Sequence, residues 1–191
     1  MMDAITVIHA RRSHKILADP APGQADLHAI LSAAAAAPDH GRHHPWRFVI
    51  VGGAGREAFG DVLAEAYRKA CAARGQDPDP ATAERERGKP MRAPAIVVVA
   101  CAAGGDEKVP RPERLAATAA AAQNLLLAAT ALGYGAMWRT GAPARDPYVK
   151  AALGFADDDD IVGFVYIGTI PAGEEPPPAR RDLDGTARVW P

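Results

Sequence analysis

Two short stretches of this sequence combine the residue types that bind a phosphorylated planar molecule. Residues 11–15 read Arg-Arg-Ser-His-Lys and follow an apolar helical turn. Fixed cations beside a hydroxyl supply the charge and the donors that a phosphate requires. Residues 38–46 read Pro-Asp-His-Gly-Arg-His-His-Pro-Trp, which places ring nitrogens, a guanidinium and a flat apolar surface in one loop. Together the two stretches predict a site for a large planar ligand that carries a phosphate.

The elements that must position these stretches follow from apolar periodicity and from Gly and Pro punctuation. The predicted helices cover residues 3–10, 26–37, 56–74, 113–132 and 146–153. The predicted strands cover residues 47–51, 95–101, 136–139 and 161–167. Asp3 is a suitable N-cap for the first helix. Both candidate stretches therefore lie at helix ends in an α+β chain.

Composition limits the class of protein. A chain of 191 residues with 48% hydrophobic residues fits one domain with a sizeable core. The net charge of -1 argues against a general nucleic-acid or membrane-surface binder, so a small-molecule partner is expected. Cys71 and Cys101 form no CxxC motif, and no secretory segment is recognised, so a reduced cytoplasmic protein is expected.

Three segments need separate interpretations. Residues 115–132 carry no charge but are dominated by alanine, which favours a buried helix at a helix–helix contact over a membrane span. Residues 76–89 are rich in charge and proline and predict a short helix or a lid, with a plain exposed excursion favoured. The tail from residue 171 contains three consecutive prolines and predicts an extended path.

Five motifs in a fixed order resemble the FMN-dependent nitroreductase family, in its small single-domain branch of NAD(P)H nitroreductases. They are residues 11–15, residues 38–46, Lys108-Val109-Pro110-Arg111 before an Ala-rich helix, residues 133–141 after it, and residues 161–169. The resemblance covers about residues 3–170. It implies a mostly antiparallel central sheet surrounded by helices, one domain over residues 1–191 with an extended tail, and a homodimer with FMN at the subunit interface.

The resemblance also implies a role for the first motif. Arg11 and Ser13 would hold the flavin phosphate and ribityl chain, with Arg12 beside them. Lys15 would face the pyrimidine edge of the ring. Reduced flavin ionises at N1, so an ammonium group there would stabilise the anion and raise the reduction potential.

Further site residues are implied by the later motifs. Ala36 and His40 lie where the family contacts the cofactor, and Arg139 is a candidate partner for the phosphate or the pyrimidine carbonyls. The second cofactor-binding stretch is Trp138, Arg139 and Thr140. The nicotinamide contacts would come from Ala128, Ala129, Thr130, Ala131, Leu132 and Gly133. His44 stands where the family commonly has Gln before Pro-Trp.

The implied activity is an NAD(P)H-dependent oxidoreductase that reduces nitroaromatics, quinones or similar electrophiles by a ping-pong cycle. No side chain needs to act as acid or nucleophile, because N5 of the flavin carries the chemistry. A non-catalytic flavin-binding module is the first alternative, since a retained cofactor does not require turnover.

Two further alternatives come from local patterns. A metal-dependent hydrolase could use Asp39, His40, His43 and His44, because HxxH spacing can ligate a divalent ion. That account leaves residues 11–15 unexplained, and Arg42 would repel the cation. A Rossmann-type dehydrogenase is suggested by a strand before Gly52-Gly53-Ala54-Gly55, but the third glycine of the fingerprint is missing.

Overall fold

The computed structural model describes residues 3–104, 109–173 and 185–190. Over these residues the chain forms one four-stranded sheet with the order β1-β2-β4-β3, in which every neighbouring pair is antiparallel. The strands are β1 Trp46–Gly52, β2 Ala95–Cys101, β3 Gly135–Arg139 and β4 Asp160–Gly168. The helices are α1 Ala4–Ala10, α2 Gln24–Ala35, α3 Gly55–Ala72, α4 Pro80–Arg87, α5 Arg111–Ala131 and α6 Pro147–Ala152.

All nine elements predicted from the sequence are present, with ends that differ by no more than two residues. Asp3 caps α1 as predicted, because its carboxylate accepts from the backbone N–H of Ile5 and Thr6. The α+β class is therefore confirmed. Lys108 of the third motif and the three prolines of the tail lie outside the described residues.

Two layers of helices cover the sheet. The inner strand β2 is buried along its whole length, which explains its continuous apolar run. On one face α2 and α5 pack against Val97, Val99 and Val165. On the other face α3 and α6 pack against Ile96, Val98 and their neighbours. The sheet therefore separates two apolar layers, and side chains of successive strand residues enter different layers.

The uncharged helix α5 packs on α2, as its small side chains predict. Ala121 and Leu125 are fully buried against Ile30 and Ala34 of α2. Asn124 donates from Nδ2 to the carbonyl oxygen of Ala33 at 3.2 Å, which adds a polar link between the helices. Among the described helices, none is long and apolar enough to cross a membrane.

Residues 80–87 of the charged segment form α4, which packs on α3, so the short helix is found rather than the plain exposed excursion that the sequence favours. Asp79 caps the helix by accepting from the N–H of Ala81 and Thr82, and Pro80 occupies the first turn. A Cβ atom on Gly60 of α3 would lie 2.3 Å from the carbonyl oxygen of Arg87. The two backbones therefore approach closely, which glycine alone permits.

A similar close approach at Gly163 gives a stability prediction. A Cβ atom there would lie 2.0 Å from Nε1 of Trp138, whose indole donates to the Val162 carbonyl oxygen at 3.2 Å. We expect Gly163→Ala to lower the free energy of unfolding by about 1–3 kcal/mol, because the indole must move and break its hydrogen bond. Urea denaturation measures the change.

Gly104→Ala is the matched control, because a Cβ atom at Gly104 would meet nothing within 4 Å. Its unfolding free energy should stay within about 0.5 kcal/mol of the parent. Equal stability of the two variants would show that the indole is not packed on Gly163 as described.

Candidate cofactor-binding site

The basic segment, residues 11–15, runs along the free edge of β3. The backbone N–H of His14 donates to the carbonyl oxygen of Ala136 at 3.1 Å, and Ser13 forms an isolated parallel bridge with Ala136. His14 and Leu17 are buried, whereas Ser13 and Lys15 are exposed. Buried residues thus anchor this edge and leave the polar side chains facing outwards.

Within the basic segment, the structure brings a guanidinium and a hydroxyl together. Nη1 of Arg11 donates to Oγ of Ser13 at 3.5 Å, so both groups can approach one anion. Arg12 turns back on α1, where its Nη1 donates to the carbonyl oxygens of His9 and Arg11. Its Nε is buried and has no hydrogen-bond partner among the described residues. A buried cationic donor without an acceptor is unusual and is consistent with an anion site.

A cleft of about 240 Å³ opens where β3 ends, on the α3 side of the sheet. Its cations are Lys89, Arg92 and Arg139, and its aromatic walls are Phe59, Phe164 and Tyr166. We call it the cationic cleft. The Arg139 guanidinium carbon lies 5.7 Å from the centroid of the Tyr166 ring. Thr140 also lines the cleft, so two of the three residues predicted at positions 138–140 to bind the cofactor face this space.

Strand β3 joins the basic segment to the cationic cleft. Ser13 pairs with Ala136, and Arg139 lies three residues further along the same strand. Leu17, just beyond the basic segment, is buried in the same layer as Phe59 and Tyr166. Basic residues therefore lie at two places along the edge strand β3, whereas the loop of residues 38–46, which the sequence combined with the basic segment, does not line the cationic cleft.

The phenol of Tyr166 lies at the floor of the cleft, where it is buried. Burial raises the pKa of the Tyr166 phenol, while the nearby charges of Arg139 and Arg92 lower it and Glu86 raises it. The phenol therefore stays protonated at neutral pH. Trp138, one residue before Arg139, points into the opposite layer, where it packs in the core.

Ala36 and His40 lie on the other side of the molecule from the cationic cleft. Ala36 is exposed at the end of α2 and lines an apolar groove of about 440 Å³ between α1, α2 and α5. His40 begins a short 3-10 turn and lines an adjoining cleft against α5. The cationic cleft contains neither residue. One chain thus does not bring all the predicted cofactor contacts together.

The loop that carries His40 is held by two carboxylates. Oδ2 of Asp39 accepts from the backbone N–H of His44 at 2.6 Å, and His44 adopts a positive φ of 47°. Glu113, in the first turn of α5, contacts Nδ1 of His40. This contact raises the pKa of His40 through the hydrogen bond and through the charge of Glu113.

The raised pKa of His40 makes the stability of the fold depend on pH. The pKa of His40 is higher in the folded chain, so protonation stabilises the fold fully below the ordinary value of about 6.5. The contribution is lost as the pH rises through the raised pKa. We expect Glu113→Gln to return the pKa of His40 towards its ordinary value, as measured by NMR titration of its ring protons.

Glu65→Gln on α3 is the control for that titration. Glu65 pairs with Arg68 and Lys69 on its own helix, so its loss should leave the His40 pKa unchanged. An unchanged His40 pKa in Glu113→Gln would show that the two side chains do not interact in solution.

The six residues proposed for nicotinamide binding lie at the end of α5 and in the turn after it. Ala129 is fully buried in the core, and Thr130 donates to the Leu126 carbonyl oxygen at 2.9 Å. Ala128 and Ala131 line the apolar groove beside Ala36, while Leu132 and Gly133 are exposed.

The two alternatives drawn from local patterns receive no support from this geometry. Among the described residues, no group of three or more His, Cys, Asp or Glu side chains could hold a metal ion. The strand before Gly52-Gly53-Ala54-Gly55 pairs antiparallel with β2, so the parallel βαβ unit of a Rossmann site is not formed.

The architecture is that of the nitroreductase fold. A nitroreductase-like family protein from Bacillus cereus has a TM-score of 0.81 and 27% identity, covering 100% of this chain and 97% of that chain. A nitroreductase with bound FMN from Bacteroides fragilis has a TM-score of 0.77 and 24% identity, covering 100% of both chains. The predicted fold is therefore confirmed.

The sequence places the chain within the corresponding family. The model of the nitroreductase family matches residues 8–169. YdjA of Escherichia coli (strain K12), provisionally named an NAD(P)H nitroreductase, is 40% identical over 168 residues, which cover 88% of each chain. A Haemophilus influenzae protein with a similar provisional name is 31% identical over 169 residues, covering 88% of this chain and 89% of that protein. The chain belongs to the nitroreductase family.

Proposed function

We propose that this chain is an FMN-dependent oxidoreductase that takes electrons from NADH or NADPH and reduces nitroaromatics, quinones or similar electrophiles. The observation that carries the proposal is that the edge strand β3 pairs with the basic segment at Ala136 and lines the cationic, aromatic cleft at Arg139. The provisional names of the two sequence relatives agree with it, and the Bacteroides fragilis protein binds FMN.

The side chains present fit this cofactor. Arg11 and Ser13 would bind the phosphate, and the buried Nε–H of Arg12 is a further donor on the same segment. The cationic cleft would take part of the ring, with Arg139 and Thr140 along it. Lys15, exposed at the β3 edge, would approach the pyrimidine side.

When bound, FMN would supply hydride acceptance at N5 and electron transfer to the acceptor. The chain's own residues bind and orient it: the basic segment neutralises the phosphate, and the apolar walls of the cleft exclude water. No acid or nucleophile from the chain is required. We further propose that residues 128–133 contact the nicotinamide mainly through the exposed turn at Leu132 and Gly133, because Ala129 is buried.

The proposal includes a homodimer with each site shared between subunits. Ala36 and His40 lie across the sheet from the cationic cleft, so they can complete a site only on a second copy. Ile8 lines the apolar groove that holds Ala36 and is 37% exposed, and Ile5 on the same helix is 63% exposed. Such a surface is typical of one covered by a partner.

Anaerobic reduction tests the proposed activity. The purified protein should be yellow, its flavin absorbance should bleach on addition of NADH or NADPH, and a quinone should then restore it. Bleaching without recovery by any quinone or nitroaromatic would favour the non-catalytic flavin module. A colourless protein that does not bind added FMN would refute the proposal.

A further inference from the structure

Helix α4 brings one carboxylate to the rim of the cationic cleft. Glu86, near the end of α4, contacts the ammonium of Lys89 with both carboxylate oxygens. The Lys89 side chain is 31% exposed and that of Glu86 is 19% exposed, so water screens this pair less than a surface pair. Since Lys89 lines the cleft, the carboxylate determines where its ammonium points.

The charge balance of the cleft depends on this carboxylate. Three cations line the space, and among the described ion pairs neither Arg92 nor Arg139 has a carboxylate partner. Glu86 also lines a neighbouring cavity, and Leu63, Lys89, Thr140 and Pro143 line both that cavity and the cationic cleft. The carboxylate therefore lies directly beside the cleft.

We propose that Glu86 is a positioning residue that sets the reduction potential of the flavin by holding Lys89 and offsetting part of its charge. This inference rests on the proposed function. Reduced FMN at neutral pH carries a negative charge at N1, so cations beside the ring favour the reduced form. A carboxylate that neutralises one of these cations lowers the potential and keeps the reduced cofactor a stronger reductant.

The charge-removing variant Glu86→Gln isolates this effect because it keeps the size of the side chain. With Lys89 uncompensated, reduced FMN should bind about tenfold more tightly relative to oxidised FMN. For a two-electron couple, tenfold corresponds to a midpoint potential about 30 mV higher. Lys89→Gln should move the potential in the opposite direction, because it removes the cation itself.

The midpoint potential of the FMN-loaded protein is measured by anaerobic titration with xanthine and xanthine oxidase against a reference dye. Glu65→Gln is the control, because Glu65 pairs only within α3 among the described residues and does not line the cleft. Its potential should match that of the parent. FMN fluorescence titration confirms that each variant is loaded.

Opposite shifts for Glu86→Gln and Lys89→Gln would support the inference. An unchanged potential in FMN-loaded Glu86→Gln, or shifts of both variants in one direction, would overturn it while leaving flavin binding intact. Failure of the parent protein to bind FMN would instead overturn the proposed function and this inference with it.

Discussion

Arg11→Ala is expected to weaken FMN binding by about 10- to 100-fold. Arg11 offers its guanidinium beside the Ser13 hydroxyl, and a hydrogen bond to a charged phosphate contributes about 1.5–3 kcal/mol. The backbone N–H of Arg11 still closes α1 on the Val7 carbonyl oxygen, so the fold should persist. Quenching of FMN fluorescence on titration into apoprotein measures the dissociation constant.

Two variants sharpen this test. Arg11→Lys keeps the charge but loses the planar donor pair, so its affinity should fall between those of the parent and Arg11→Ala. Arg68→Ala removes a half-exposed guanidinium from α3, where it pairs with Glu65, and should bind FMN like the parent. If Arg11→Ala binds FMN within twofold of the parent affinity, the basic segment is not part of the FMN site.

Ala120→Glu is expected to separate the proposed dimer and to lose the flavin with it. Ala120 lines the cleft that also holds His40, on the surface proposed to contact the second copy. A symmetric interface would bury two unpaired carboxylates, at about 3–5 kcal/mol each. The dimer dissociation constant should rise by at least about 100-fold. Ala120 is half-buried beside the core, so far-UV circular dichroism is used to show that the variant stays folded.

Sedimentation velocity and the FMN content of the purified protein measure the outcome. Ala81→Glu is the control, since Ala81 is exposed in the first turn of α4, where a carboxylate is favourable. It should stay dimeric and yellow. A flavin-loaded monomer of Ala120→Glu would refute the shared site, and an intact dimer would place the interface elsewhere.

The regular elements could be predicted because their signals are local. Apolar periods and the Gly and Pro residues between them located the four strands and every helix except α4 within two residues. The basic segment could also be predicted, because three cations and a hydroxyl lie within five residues of sequence. Backbone pairing of Ser13 with Ala136 places this segment on the strand that carries residues 138–140, and no local pattern encodes that pairing.

The composition of the cationic cleft could not be predicted in the same way. Lys89 and Arg92 belong to a turn after α4 and carry no motif. Glu86 is within one helical turn of Lys89, but only the packing of α4 and this turn on α3 brings the pair to the end of β3. Strand alternation does explain the separation of Trp138 from Arg139, because neighbouring strand residues face opposite layers. This alternation of strand residues is visible in the sequence and predicts that Trp138 lies in the core.

A crystal structure of the FMN-loaded protein tests the central claim most directly. The phosphate should lie on Arg11 and Ser13, and the ring should lie beside Arg139 and Thr140 at the end of β3, with Ala36 and His40 reaching it from the second subunit. FMN bound away from the β3 edge, or Arg11 directed into solvent with the phosphate held elsewhere, would contradict the account.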